Sequence, residues 1–312
     1  GHIGYAWLSA LLIRLAPQLI ISCADNNPLL GQYAKDNPQV QVVLIQNALR
    51  DTKGSITPGQ DLPVYLAFGE TERKIFHTVG IRCGEYLPIG SIKLGLALAQ
   101  IKDAAHQTFD FAFISHYRPD MFDPRLSPLQ LLIEANQKYL FQLCCRYART
   151  RTLTFAVITK TREPQVQLAE QEYYKQLAGE LPLHFISADK AEKELDSYLA
   201  GLASGLVVHP GSTLGFELFA AGKKVLLGAT IDPELIQAWG IEHYVDELPS
   251  SVKLKAGRSD ADFFQRCDTL RAMPDAQYRE VTREAAQSLI SMPADDYPHE
   301  TVKALISEWL SR

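Results

Sequence analysis

The chain has 312 residues, 46% of them apolar and 21% charged, with a formal net charge of -5. That composition is ordinary for a folded protein and long enough for one large or two medium domains. The acidic balance argues against a protein whose main work is to hold a nucleic-acid backbone. The five cysteines include an adjacent pair and no Cys-x-x-Cys, which excludes a disulfide framework or a zinc ribbon and fits a reducing compartment.

Gly1-His2 reads as a tag remnant with an upstream segment removed. A helix follows from Tyr5 to Leu15, a stop at Pro17, and a strand Leu19–Cys23 that ends in the polar run Asp25-Asn26-Asn27. Val40–Ile45 is a second strand, closed by Gln46-Asn47. PVYLAFG gives a strand, a break at Gly69 and a short helix, and Tyr86–Ile89 leads into the strand-to-helix change GSIKLGLALAQ. FDFAFIS ends a strand near Ser115-His116.

Helical spacing runs from about Ser127 to Arg149 and leads into a strand ending at Lys160. Three helix–strand units follow: Pro164–Ala178 with Leu183–Ile186, Lys190–Ala200 with Gly205–Val208, and Thr213–Ala221 with Lys224–Leu227. Residues 259–311 are mostly helical. No apolar run is long enough to cross a bilayer without carrying charge.

Short, nearly all-apolar strands alternating with helices predict parallel sheets covered on both faces. The alternation restarts after the basic stretch Arg146–Arg151. The expected fold is therefore α/β, with two facing Rossmann-like domains and C-terminal helices. The boundaries predicted are 1–149 for an acceptor-side domain, 150–285 for a nucleotide-sugar donor domain and 286–312 for a helix bracing them. Ligands in such sheets sit beyond the C-terminal strand ends, where the polar clusters fall.

LVVHPGSTLGFELFAAGKKVLLG, Leu206–Gly228, hands a strand over to a helix. Gly211 lets the backbone turn, and Ser212 or Thr213 starts a helix whose amides suit a phosphate. His209 is the expected added donor and Glu217 the acceptor for sugar hydroxyls. Lys160 and Arg162 would neutralise phosphate charge. Asp25 is the candidate base or nucleophile, with His116 the alternative base. Asn26, Asn27 and Ser115 are expected to bind substrate, and Gln46, Asn47 and Arg50 to form a polyol- or carboxylate-binding wall. No Gly-rich dinucleotide fingerprint, Gly-Lys-Ser/Thr loop or His-x-x-x-His occurs, so neither a metal nor a resident cofactor is expected.

On these residues the chain resembles bacterial surface-polysaccharide glycosyltransferases of the two-domain GT-B type. Ser212-Thr213, Gly215-Phe216-Glu217, Val225–Leu227 and Trp239-Gly240 resemble the donor segment of capsule and lipopolysaccharide Kdo transferases. His209-Pro210 is similar to the His-Pro of GT-B sialyltransferases. In the first half, IQNALR, FGE, PIGSIKLG and ISHYR resemble surface carbohydrate biosynthesis proteins. The resemblance implies metal-independent transfer of a sugar, Kdo from CMP-Kdo for instance, to a surface polysaccharide or lipid-linked acceptor. A CMP donor is favoured, with UDP, GDP and dTDP open. It implies a cytoplasmic enzyme with peripheral inner-membrane contact, and membership in a larger polymerase is compatible with it. The acidic-acidic-Gly motif of that branch is replaced here by the neutral Gln46-Asn47-Ala48. An epimerase-like nucleotide-sugar enzyme, or an inactive glycan- or nucleotide-binding module, therefore stands as the alternative.

Overall fold

The computed structural model describes residues 2–101, 107–120, 125–159, 163–187, 195–293 and 296–311. The chain folds into two compact units, one of residues 1–95 with 287–312 and one of residues 96–286.

The first unit holds a parallel sheet of order β1-β2-β3-β4, from Leu19–Ser22, Gln41–Ile45, Asp61–Ala67 and Arg82–Pro88. Its inner strands are apolar at consecutive positions, Val42–Ile45 and Val64–Ala67, because both faces are covered there. Val42 and Leu44 join Leu30, Tyr33, Tyr65 and Phe76 on one face, where α1 (His2–Leu15), α2 (Pro28–Asp36) and α3 (Thr71–Val79) pack. Val43 and Ile45 face the other way, toward Val302, Leu305 and Trp309 of α13 (Pro298–Ser311). Helix α2 is not predicted by the sequence pattern; it begins at Pro28, with the Asn27 side chain accepting the Leu29 amide at 3.0 Å.

The returning C-terminal segment explains two of the first-half motifs. The Ser291 amide donates to the Phe68 carbonyl at 2.7 Å, and the Thr71 hydroxyl reaches the Ser288 carbonyl at 3.1 Å. Gly90 begins the turn into α4 (Ile92–Gln100) at φ 89°, and a Cβ there would lie 2.0 Å from the Ser291 carbonyl oxygen. Only glycine satisfies both demands. Phe-Gly-Glu and Pro-Ile-Gly-Ser are thus packing sequences for residues 287–298.

The second unit holds the parallel sheet β7-β6-β5-β8-β9. In chain order these strands are β5 (Phe109–Ile114), β6 (Phe155–Ile158), β7 (His184–Ile186), β8 (Ser204–His209) and β9 (Val225–Leu227). The intervening helices are α5 (Pro128–Arg151), α6 (Pro164–Ala178), α7 (Asp196–Leu202) and α8 (Thr213–Ala220). Helices α9 (Pro233–Trp239), α10 (Glu242–Glu247), α11 (Asp260–Ala272) and α12 (Asp275–Leu289) follow.

The expected boundary at 149/150 is corrected by β5. That strand pairs with β6 on one side and β8 on the other, so it is the centre of the second sheet and not the last strand of the first. Helix α5 likewise belongs to the second unit. A Ser127–Gln130 capping box starts it, and its buried Phe141 lies 5.3 Å from the Phe113 ring of β5. Its basic C-terminal turn resembles a linker only because Arg146 and Arg151 reach Asp260 and Asp268 of α11 across the surface. Among the described residues no helix is long and apolar enough to cross a membrane.

Candidate functional site

From β5 the second sheet grows outward through β6 to β7, and the chain then returns to lay β8 and β9 on the other side. The winding therefore reverses between β5 and β8. A crevice opens beyond the carboxyl ends of the strands at such a point. The segments leaving those two ends are Ser115–Arg118 and His209–Thr213. The first sheet, with its strands in sequential order, has no such reversal among the described strands.

At the end of β8 the structure departs from the expected orientation of two residues. His209 is buried beneath α8: a Cβ on Gly215 would lie 2.2 Å from its ring, and the Phe216 ring meets it edge-on at 5.2 Å. Burial pulls this imidazole down to about 3, with the Ser212 backbone offsetting part of the effect. It is neutral near pH 7 and carries no positive charge to a phosphate. Glu217, expected to face sugar hydroxyls, is buried one turn into α8, where both carboxylate oxygens accept from the Tyr198 hydroxyl at 2.9 Å. Gly-Phe-Glu thus seats α8 against β8 and α7.

The turn itself stays accessible. Gly211, Ser212 and Thr213 are half-buried. Gly211 has φ 128°, and a Cβ there would meet the Trp239 ring at 2.8 Å. Ser212 is the N-cap of α8, yet its hydroxyl makes no capping bond. Trp239, at the end of α9, also lies against the half-buried His116 ring, with centroids 5.2 Å apart and planes at 32°. One indole therefore joins the two segments that leave β5 and β8. A small pocket of about 20 Å³ beside His116, lined also by Arg118, Gln130, Glu134 and Gln137, has room for a water and not for a nucleobase.

Ser115, expected to bind substrate, is buried instead. Its hydroxyl bonds the buried Glu170 carboxylate of α6 and lies 2.9 Å from the Tyr174 hydroxyl. Its neighbour His116 donates its amide to Gln137 Oε1 at 2.5 Å. Burial raises the Tyr174 phenol well above its ordinary range.

The first-unit candidates converge on one another. Asp25 is fully buried, and Arg50 engages both its oxygens, with the Nε bond at 2.8 Å and a second short bond from the guanidinium. Tyr65 donates to the same carboxylate at 2.7 Å. Burial opposes the Arg50 charge, but the hydrogen bonds and charge of Asp25 outweigh it and hold the guanidinium above its ordinary value. Asp25, expected to stand in a neutral cluster and open to substrate, is thus enclosed, with both oxygens already held by Arg50 and Tyr65.

The expected polar wall is likewise turned inward. Asn47 donates to the Cys23 carbonyl at 2.5 Å and accepts from Arg50 at 2.8 Å. Gln46 bonds the buried Glu72 carboxylate and accepts the Phe68 amide at 2.6 Å. Asn27 is occupied as the α2 cap, and Asn26 is exposed. Lys160 and Arg162 lie outside the described residues.

Tyr65, Glu72, Gln137, Glu170 and Tyr198 complete these clusters and were not singled out by sequence reasoning. Each sits inside an apolar helical or strand pattern with no local signal of a partner twenty or more residues away, Tyr198 excepted at nineteen. Among the described residues no group of three or more His, Cys, Asp or Glu side chains is placed to hold a metal ion.

Two Rossmann-like sheets with flanking helices define a GT-B-like two-domain fold. Solved structures with this fold include a UDP-GlcNAc 2-epimerase of Methanocaldococcus jannaschii, in complex with UDP-GlcNAc and UDP, at TM-score 0.57 and 9% identity over 97% of this chain and 79% of that one. A Listeria monocytogenes chain named for the same epimerase activity has TM-score 0.56 and 12% identity over 97% and 77%. The wall teichoic acid polymerase TagF, as its H548A variant, has TM-score 0.51 and 12% identity over 93% and 72%. No protein-family model and no curated protein matches the chain.

Proposed function

We propose that this protein is an enzyme acting on a nucleotide-activated sugar, with the nucleotide phosphate held at the β5/β8 reversal of the second unit. The observation that carries the reading is the convergence, through Trp239, of the half-buried Gly211–Thr213 turn and of His116 at that reversal. Amides at the start of α8, with the uncommitted Ser212 hydroxyl, suit a phosphate oxygen; Arg118 beside His116 is ion-paired with Asp120 at 2.7 Å and would exchange that partner for the phosphate. Thr213 belongs to the same turn, while Lys160 and Arg162, in the segment after β6, are further phosphate candidates. His209 and Glu217 serve from beneath by fixing α8, and no step requires either to touch the ligand.

Epimerase-like chemistry on a UDP-sugar is the favoured reaction. Two structures named for that activity share the fold over 97% of the chain. Asp25, the base that sugar transfer would use, is already engaged by Arg50 and Tyr65. Transfer from CMP-Kdo to a glycan or lipid-linked acceptor is the second reading, supported by Gly215-Phe216-Glu217, Trp239-Gly240 and the fold shared with TagF.

Incubation with UDP-GlcNAc, followed by NMR for inversion at C2 of the sugar and for UDP release, tests the first reading. CMP-Kdo with a lipopolysaccharide acceptor tests the second. Nucleotide-dependent stabilisation without turnover of any donor would leave a binding module, and no response to UDP or CMP would sink the site.

A further inference from the structure

We propose that Glu170 is a positioning residue that aims His116 and Arg118 into the nucleotide site, acting through Ser115. The inference rests on the reading of the Ser115–Arg118 turn as part of that site. Glu170 lies in α6, 55 residues along the chain from Ser115, and is fully buried. A serine hydroxyl has one proton and two acceptor positions, and its rotor is free until something fixes it. Here Glu170 takes the proton. The Tyr117 amide at 3.0 Å fills one acceptor position, and the Tyr174 hydroxyl at 2.9 Å then donates to the other. All three hydrogen-bonding positions of Ser115 are used, and the order of protons follows from the carboxylate.

The consequence falls on the residues between. Ser115 and Tyr117 are buried, whereas His116 and Arg118 are half-exposed, so alternate side chains of this segment point in opposite directions. The Ser115 amide continues the sheet by donating to the Ile158 carbonyl at 2.9 Å, and the His116 amide is held by Gln137. With the amides of 115, 116 and 117 each committed, His116 is laid on Trp239 and Arg118 faces the adjoining pocket. A buried carboxylate is a costly way to stabilise a core, since apolar residues of similar volume often do so at least as well. Directional control of a ligand-facing turn is what it adds.

The test combines three measurements on the full chain: melting without ligand, calorimetric titration with UDP and CMP, and imidazole NMR of His116. Glu170→Gln keeps an acceptor for the Ser115 hydroxyl, whereas Glu170→Ala removes it. The alanine variant is expected to weaken nucleotide binding about tenfold and shift the His116 resonances, and the glutamine variant to stay within about threefold of wild type. A purely structural role would lower the melting temperature and leave the affinity and the His116 resonances of the folded protein unchanged. Those unchanged values in Glu170→Ala would overturn the proposal. Should that variant not fold, Ser115→Ala applies the same criterion, because it removes the rotor through which Glu170 acts. If wild type binds neither nucleotide, the proposed function fails, while the His116 resonances still report whether Glu170 orients the turn.

Discussion

Replacing His209 by glutamine removes an imidazole whose proton affinity is strongly depressed by burial. Its value falls from 6.5 to about 3 on folding. A depressed histidine contributes stability that is complete above the unfolded value and is lost as pH falls toward the folded one, because the unfolded chain takes up a proton that the native state refuses. The slope is about 1.4 kcal/mol per pH unit between those limits. Between pH 7.5 and pH 5 the loss from this group is about 2 kcal/mol. Urea unfolding of wild type and His209→Gln at pH 7.5, 6.5, 5.5 and 5.0 measures it. The variant starts less stable, since its ring contacts with Gly215 and Phe216 are gone, but the difference between the two proteins should shrink by about 2 kcal/mol toward pH 5. Parallel curves across the window would mean that His209 is solvated and would refute its placement under α8.

Asp25→Asn should destabilise the first unit by about 3–5 kcal/mol, because it leaves the buried Arg50 charge uncompensated; a loss below about 1 kcal/mol in urea unfolding would contradict the pairing. Tyr198→Phe removes the hydroxyl that both Glu217 oxygens accept and should cost about 1–3 kcal/mol, with equal stability of the two proteins counting against that contact. Gly211→Ala strains a φ of 128° and drives a methyl into Trp239, so UDP or CMP should stabilise this variant less than wild type in thermal melts. Gly90→Ala should lower stability through the Ser291 contact without altering nucleotide affinity, which calorimetry separates from the effect at Gly211.

The two sheets were legible because parallel strands buried on both faces must be apolar at consecutive positions. Val42–Ile45, Phe111–Ile114 and Leu206–Val208 show this in any local window. The polar clusters at their ends were legible for the complementary reason, since a strand stops where backbone and side chains can again meet water or a ligand. The sequence alone therefore determined the α/β class, the helix start at Ser212-Thr213 and the glycines that turns demand. It did not determine which sheet β5 joins, because its pattern is the same whether it pairs with β4 or with β6 and β8. Nor did it determine the fate of the polar groups. Asp25 with Arg50, Ser115 with Glu170 and Glu217 with Tyr198 are 25, 55 and 19 residues apart. A carboxylate read locally is a candidate base or ligand, and only tertiary packing supplies the guanidinium or hydroxyl that claims it. The same holds for His209: whether that imidazole carries charge depends on how closely α8 settles over β8, a distance set by Gly215 and decided in three dimensions.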